Sequence, residues 1–223
     1  NINPPDFYHS PLTSLVCLEN TTNKGGGACY DLDEIKKIKK VCQEHNLGLH
    51  LDGARLMNAI VANSEDIKLY GNLFDTVSVC LSKGLGAPMG TVLMGKASLM
   101  KNAIRVRKVL GGGMRQVGFM AAAGLYAMEH QVLRLKDDHT KASQIATLLQ
   151  SLPYIKKVEP TQTNIVIFYM QEGLNQDDFI NALAAKNIRI SDMGQGKLRV
   201  VTHHDYTAKM HSKFLDTLSS YTH

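Results

Sequence analysis

A lysine where an apolar stretch meets a glycine-rich loop is the residue best placed to do chemistry in this sequence. Lys83 follows a mostly apolar run over residues 74–81, and Gly84, Gly86 and Gly90 come after it. The run predicts a buried strand, and the glycines predict a loop. Desolvation at such a strand end favours the neutral amine, which is the nucleophile that forms a Schiff base. A solvated loop lysine, the commoner case, fits the same residues.

An aspartate stands at a second junction of this kind. Asp52 directly follows the apolar stretch 47–51 and precedes Gly53. Residues 56–70 have the pattern of a helix followed by a loop. Since ligands of open α/β sheets bind beyond the carboxyl ends of the strands, we expect Asp52 and Lys83 in one crevice. A lysine and a carboxylate together hold pyridoxal phosphate (PLP), the lysine covalently and the carboxylate at the pyridinium nitrogen. A helix cap is the alternative role of Asp52.

Longer motifs carry a resemblance to a known family. They are HLDGAR at residues 50–55, LSKGLGAP at 81–88 and GGGMRQ at 111–116, with LENT at 18–21 and LRVVTH at 198–203. In this order they resemble the low-specificity L-threonine aldolases, which are fold-type-I PLP-dependent enzymes. The resemblance covers essentially the whole chain. It implies retro-aldol cleavage of L-threonine or L-allo-threonine to glycine and acetaldehyde.

For the cofactor, the resemblance implies four ligands: Lys83, Asp52, Arg55 and Ser82. Lys83 would hold PLP covalently. Asp52 would keep the pyridinium nitrogen protonated, so that the ring accepts electrons when the Cα–Cβ bond of the substrate breaks. No metal is expected, because the dispersed histidines and cysteines lack the spacing of a metal site.

For the substrate, a small 3-hydroxy amino acid, the resemblance implies four ligands. Arg55 and Arg199 would bind the α-carboxylate, since a guanidinium can do so with two parallel hydrogen bonds. His9 would lie near the β-hydroxyl as the candidate catalytic base, and Lys108 would also contact the substrate. A surface ion pair is the alternative for either arginine. A structural or subunit contact is the alternative for Lys108.

Two other functions fit these residues. One is another fold-type-I enzyme, such as a β-eliminating lyase or an amino-acid racemase, although GGGMRQ favours the aldolase. The other is an inactive fragment of such an enzyme. The glycine-rich phosphate-binding turn and the ring-stacking residue of the family, usually histidine, have no match here. We therefore expect that the chain lacks an N-terminal segment and that alone it folds poorly or binds PLP weakly.

The elements that must position these residues alternate between strand and helix. Predicted strands lie at residues 15–18, 47–52, 74–81 and 91–94, and predicted helices at 31–46, 54–62 and 98–110. This alternation predicts an α/β fold with a parallel sheet. With the resemblance, it predicts the three-layer, mostly parallel architecture of fold-type-I PLP-dependent transferases. Residues 116–150 are predicted as helical, with a break at 137–139.

A smaller α+β domain is predicted at the C-terminal end. Its predicted strands lie at residues 164–169, 189–190 and 197–202, and its predicted helices at 176–186 and 209–221. Residues 1–137 are thus predicted to be the later part of a large PLP-binding domain, and residues 138–223 the small domain.

The composition is that of an ordinary globular protein. Of 223 residues, 44% are hydrophobic and 20% charged, and no apolar run reaches the length of a membrane helix. The net charge of +5 is scattered and not interleaved with aromatic residues, so no nucleic-acid partner is expected. Four cysteines without pattern predict free thiols in a reducing, cytoplasmic compartment, with Cys17 and Cys80 in buried strands. The resemblance implies a homodimer or homotetramer.

Overall fold

The computed structural model describes residues 2–4 and 6–222, which form two four-stranded sheets, each with its own hydrophobic core. The elements of the first unit are β1 (Leu15–Glu19), α1 (Leu32–Glu44), β2 (Gly48–Gly53), α2 (Leu56–Asn63), α3 (Ile67–Leu73), β3 (Thr76–Cys80), β4 (Thr91–Gly95), α4 (Ala97–Val109) and α5 (Gly118–His130). The elements of the second unit are α6 (Leu135–Ser151), β5 (Ile155–Val158), β6 (Ile165–Met170), α7 (Gln176–Ala185), β7 (Ser191–Asp192), β8 (Leu198–Val201) and α8 (Ala208–Ser219).

The first sheet confirms the predicted α/β fold with a mostly parallel sheet. Its strand order is β1-β2-β3-β4, and β1, β2 and β3 run parallel. The fourth strand, β4, pairs antiparallel with β3, which corrects the prediction of a fully parallel sheet from the alternation alone. The physical reason is the connection over residues 81–90, which is too short for the crossover that parallel neighbours require.

The two faces of the first sheet have different surroundings. Leu49, Leu51 and Val77 lie on one face and are buried in the core that α1, α2 and α3 complete. The alternating positions face the other way, where Cys17 is exposed and Cys80 half-buried. Both cysteines were predicted in buried strands, and they lie on the less buried face, because an apolar run does not tell which face of a strand a residue occupies.

Two helices of the first unit, α1 and α3, begin at side-chain caps that the sequence provides. The Asp31 carboxylate accepts hydrogen bonds from the N–H groups of Asp33 and Glu34, at 2.7 and 3.3 Å, and starts α1. Asp66 accepts from the Lys68 N–H group at 2.9 Å and starts α3. The stretch between β2 and β3 therefore holds two short helices where one helix and a loop were predicted.

A break between helices lies before the position that the sequence predicted. The chain leaves α5 at His130 and enters α6 at Leu135, whereas the predicted break was at residues 137–139. Asp137 and Asp138 lie in the first turn of α6, where carboxylates stabilise the positive end of the helix dipole. The acidic residues begin the helix rather than interrupt it.

The second sheet is antiparallel, with strand order β5-β6-β8-β7, and it confirms the predicted α+β unit. Strand β5 was not predicted, and the short strand expected at residues 189–190 lies at Ser191–Asp192. The predicted domain boundary at residues 137/138 falls inside α6. Leu135 of this helix packs in the first core and Ala142 in the second.

All four cysteines are free thiols, as predicted. Across residues 2–4 and 6–222, no helix has the length and apolar character needed to cross a membrane.

Candidate functional site

The parallel strands bring Asp52 and the lysine loop to the same edge of the first sheet. Asp52 pairs in register with Glu19 at the end of β1 and with Ser78 in β3. Lys83 follows the end of β3 by a few residues. Both residues therefore lie at the carboxyl edge, where open α/β sheets bind their ligands.

The loop that carries Lys83 has a fixed shape. The Leu81 N–H group donates to Gly90 O and the Ala87 N–H group donates to Leu81 O, both at 3.0 Å. A side chain at Gly84 would approach Leu135 Cδ2 to 2.9 Å, so only glycine leaves the helix room to pack here. These contacts hold the loop closed beside Lys83.

Lys83 and Arg55 line one cavity of about 370 Å³ between the two units. The first unit contributes Arg55, Ser82, Lys83, Gly84, Gly86 and Ala87, and the second contributes Asn164, Val201, His203, His204 and Asp205. Lys83 and Ser82 are exposed, so the partial desolvation expected for Lys83 was wrong.

Sequence reasoning missed the cavity residues of the second unit. Asn164 and Asp205 lie outside every motif quoted above, and only tertiary packing brings them to Lys83. His203 belongs to the LRVVTH motif, so that motif was a signal that could have identified it.

Asp52 lies at the edge of the site but not on the cavity lining. Its side chain is exposed, and its Oδ1 atom accepts a hydrogen bond from the Ala54 N–H group at 3.0 Å. The sequence offered a helix cap as the alternative role, but the cap position of α2 is Arg55, and the Asp52 contact stabilises the turn before that helix. It uses one of the two carboxylate oxygens.

The two arginines that were predicted to bind the substrate carboxylate both contact one asparagine, which was not predicted from the sequence. Arg55 Nη1 and Arg199 Nη1 donate to Asn23 Oδ1, at 3.3 and 3.0 Å. Within the described part of the chain, neither arginine forms an ion pair with a carboxylate, whereas Arg134 does. Burial and the charge of Arg199 lower the pKa of Arg55. Two adjacent guanidinium groups without a paired anion form a site suited to a carboxylate.

Ser82 contacts a cysteine at the base of the lysine loop. Its Oγ atom lies 3.4 Å from Cys80 Sγ. Burial alone would raise the pKa of the Cys80 thiol, but hydrogen bonds with Ser82 and the charge of Lys83 outweigh burial and lower it.

Three further predicted site residues do not line this cavity: His9, Lys108 and Arg199, of which Arg199 lines a separate cavity of about 540 Å³ in the second unit. His9 is exposed, and its ring contacts those of Phe7 and Tyr8, with centroids 5.5 and 4.0 Å apart. Lys108 is exposed on α4, with Gly113 close to its side chain. Their proposed roles stay predictions. In residues 2–4 and 6–222 there is no group of three or more His, Cys, Asp or Glu side chains that could hold a metal ion.

The fold and the site together define a fold-type-I α/β protein with a lysine-bearing cavity between its two units. The sequence profile of the β-eliminating lyase family matches residues 1–173, and the chain belongs to that family. Among curated relatives, the low-specificity L-threonine aldolase of Escherichia coli K12 is 39% identical over 201 residues, which cover 90% of this chain and 58% of that protein. The low-specificity L-threonine aldolase 1 of Arabidopsis thaliana is 38% identical over 204 residues, which cover 90% of this chain and 56% of that protein.

A solved structure gives the same result for the fold. The threonine aldolase of Leishmania major superposes with a TM-score of 0.78 at 22% identity, over 95% of this chain and 62% of that chain. These similarities confirm the fold class and the resemblance to threonine aldolases that the motifs predicted. The chain spans 58% and 56% of the length of the two curated relatives.

Proposed function

We propose that the complete protein is a PLP-dependent aldehyde-lyase that cleaves L-threonine or L-allo-threonine to glycine and acetaldehyde. The observation that carries the proposal is the cavity of about 370 Å³ that Lys83 and Arg55 line together. It combines an amine that can hold a carbonyl cofactor with a cation that can hold an amino-acid carboxylate. The curated relatives are named for the same activity.

The donor set of the site fits PLP. Lys83 Nζ would hold the cofactor covalently, and the Asp52 carboxylate, at the same sheet edge, would hold the pyridinium nitrogen protonated. Ser82, next to Lys83, would contact the cofactor as well. When bound, PLP supplies the electron sink for breaking the bond between Cα and Cβ.

The remaining side chains would orient the substrate and move its proton. Arg55 and Arg199 would hold the α-carboxylate, which fixes the position of the amino acid relative to Lys83. His9 would accept the β-hydroxyl proton, and Lys108 would contact the substrate. The assignments of Arg199, His9 and Lys108 come from the family resemblance, because of these four residues only Arg55 lines the cavity.

The proposal includes a homo-oligomer. Apolar side chains are exposed on and beside α4 and α5, including Val109 at 79%, Leu110 at 80% and Phe119 at 78%. Apolar surface of this extent favours burial against another chain. The expected cytoplasmic location is consistent with the free thiols.

A β-eliminating lyase is the second candidate, because the matching family profile carries that description. The two candidates differ in their products. Purified protein, supplied with PLP, should convert L-threonine or L-allo-threonine to glycine and acetaldehyde in equal amounts. Formation of ammonia and 2-oxobutanoate would favour the eliminating lyase, and absence of turnover with either substrate would contradict both.

A further inference from the structure

One asparagine side chain lies between the two arginines of the site. Asn23 Oδ1 accepts a hydrogen bond from Arg55 Nη1 at 3.3 Å and another from Arg199 Nη1 at 3.0 Å. A guanidinium has no acceptor, so the amide atom that faces both groups is the oxygen, and its two lone pairs serve one donor each. Because Arg55 precedes α2 and Arg199 lies in β8, Asn23 joins the two units at the site.

The loop after β1 holds Asn23 in place. The Asn23 N–H group donates to Glu19 Oε2 at 3.1 Å. The loop closes on itself where the Thr22 N–H group donates to Ala28 O at 3.0 Å and the Gly27 N–H group donates to Thr22 O at 2.8 Å. Gly27 has a φ of +74°, a conformation that glycine adopts without strain. The asparagine is thus carried by an ordered turn.

The side chain of Asn23 is neutral, so it leaves the net charge of the site unchanged. An amide oxygen orients both guanidinium groups without cancelling their charge. Burial, then the charge of Arg199, lowers the pKa of Arg55, and the charge of Glu19 partly opposes these effects. The two positive charges are therefore left for an anionic ligand, and a carboxylate at position 23 would compete with that ligand.

We propose that Asn23 is a positioning residue that makes Arg55 and Arg199 act as one receptor for the α-carboxylate of the substrate. The inference rests on the proposed function, which supplies an amino acid as the ligand. It adds Asn23 to the residues that determine how tightly the substrate carboxylate is bound.

The experiment compares Asn23→Ala with a matched control, Asn72→Ala, in the complete protein loaded with PLP. Asn72 is an exposed asparagine in the last turn of α3. The measurements are KM and kcat for L-threonine, the Kd for glycine by calorimetry, and the thermal midpoint. Asn23→Ala should raise KM and the glycine Kd by about tenfold, the scale of a hydrogen bond to a charged group, with little change in kcat. The control should match the wild type.

Asn23→Asp separates positioning from a structural role. Its carboxylate has the shape of the amide and can pair with both guanidinium groups. We expect this variant to bind threonine and glycine more weakly than Asn23→Ala, with a thermal midpoint equal to or above that of the wild type. In the Arg199→Lys background, Asn23→Ala should add little further loss, since the two residues act as a unit.

The outcomes distinguish this inference from the proposed function. If Asn23→Ala weakens glycine binding as described but the wild-type protein does not cleave threonine, the proposed function fails, whereas the role of Asn23 in binding the carboxylate is supported. If threonine is cleaved and Asn23→Ala leaves KM and the glycine Kd unchanged, the inference is overturned. A lower thermal midpoint with unchanged KM also overturns it, and so does a wild-type protein that binds no glycine.

Discussion

At the scale of single residues, the turn contact of Asp52 and its proposed role at the cofactor can be separated by mutation. One carboxylate oxygen stabilises the turn before α2 by accepting the Ala54 N–H group. In the proposed function the carboxylate also keeps the cofactor nitrogen protonated. We expect Asp52→Asn to lower kcat by about 100-fold, the scale of a positioned electrostatic group, with little loss of PLP affinity. Asp52→Ala should lower both kcat and PLP affinity. Full activity of Asp52→Asn would contradict this role.

Substitution of Arg55 can show whether this residue binds the substrate or only stabilises the fold. We expect Arg55→Lys to raise KM for L-threonine by about tenfold or more, because an ammonium group cannot form two parallel hydrogen bonds with one carboxylate. The thermal midpoint should change little. Steady-state kinetics and thermal unfolding of the same preparation check both statements. A large fall in the midpoint with an unchanged KM would make Arg55 a structural residue.

The site residues show how far sequence reasoning reaches at this scale. Lys83, Ser82 and Arg55 were predicted from motifs at the ends of neighbouring strands, and they line one cavity. Asn23 and Asn164 could not be predicted in the same way, because they reach the site only through contacts between the two units. The spacing of residues along one element carries no information about such contacts.

At the scale of elements, α6 supports the lysine loop through a buried ion pair. Arg134 donates to both carboxylate oxygens of Asp138, at 3.0 and 2.8 Å, and to Gly84 O at 3.2 Å. The Asp138 side chain is fully buried. Removing one partner of such a pair leaves an uncompensated buried charge, so we expect Asp138→Asn to lower the unfolding free energy by about 3–5 kcal/mol.

Denaturant unfolding measures this loss, and an exposed ion pair provides the control. Glu172 pairs with Lys156 at the surface, with 86% of its side chain exposed. Glu172→Gln should leave the unfolding free energy nearly unchanged. Equal effects of the two substitutions would mean that the Arg134–Asp138 pair does not stabilise the start of α6.

The contact between α6 and α8 predicts a pH dependence. His211 Nε2 lies 2.7 Å from Gln144 Oε1, and its Nδ1 lies 3.1 Å from the Tyr206 hydroxyl, which suits a neutral ring. Burial, then the charge of Lys141, lowers the pKa of His211 below its ordinary value of 6.5. The unfolded chain therefore binds this proton more readily than the folded protein. The stabilisation is complete above the ordinary pKa and is lost as the pH falls toward the lower folded value.

His211→Gln removes this titration. We expect the unfolding free energy of the variant to depend less on pH than that of the wild type between about pH 7 and pH 5. His139, whose pKa burial also lowers, stays in both proteins and contributes equally. Parallel pH profiles for the two proteins would show that His211 does not contribute.

The elements also show what the sequence patterns could not decide. Helix α1 was predicted to begin at Asp31, because acidic residues at a helix start and apolar periodicity are local signals. Strand β5, with the sequence IKKV, is short and carries two lysines, so its residue pattern cannot be distinguished from that of a loop. The break between α5 and α6 was misplaced because the acidic residues after Arg134 were taken as a loop. The direction of β4 follows from the length of its connection rather than from its residues.

At the scale of the whole molecule, the site depends on how the two units meet. Besides the arginine contacts, Thr163 Oγ1 donates to Gly27 O at 2.7 Å, and the Cys29 N–H group donates to Gln162 Oε1 at 2.6 Å. These bonds fasten the loop after β1 to the second sheet. The cavity that contains Lys83 is thus built by both units, and the sequence motifs identified chiefly the half that the first unit contributes.

The most direct test is to locate the covalent attachment of the cofactor. The complete protein is loaded with PLP, reduced with borohydride, digested and mapped by mass spectrometry. The proposed site predicts that the reduced cofactor is found on Lys83 and that Lys83→Ala loses both the label and the cleavage of L-threonine. Lys101→Ala, a control on the exposed face of α4, should retain both. Stoichiometric label on a different lysine, or cleavage by Lys83→Ala at the wild-type rate, would contradict the central claim that the cavity beside Arg55 is the active site.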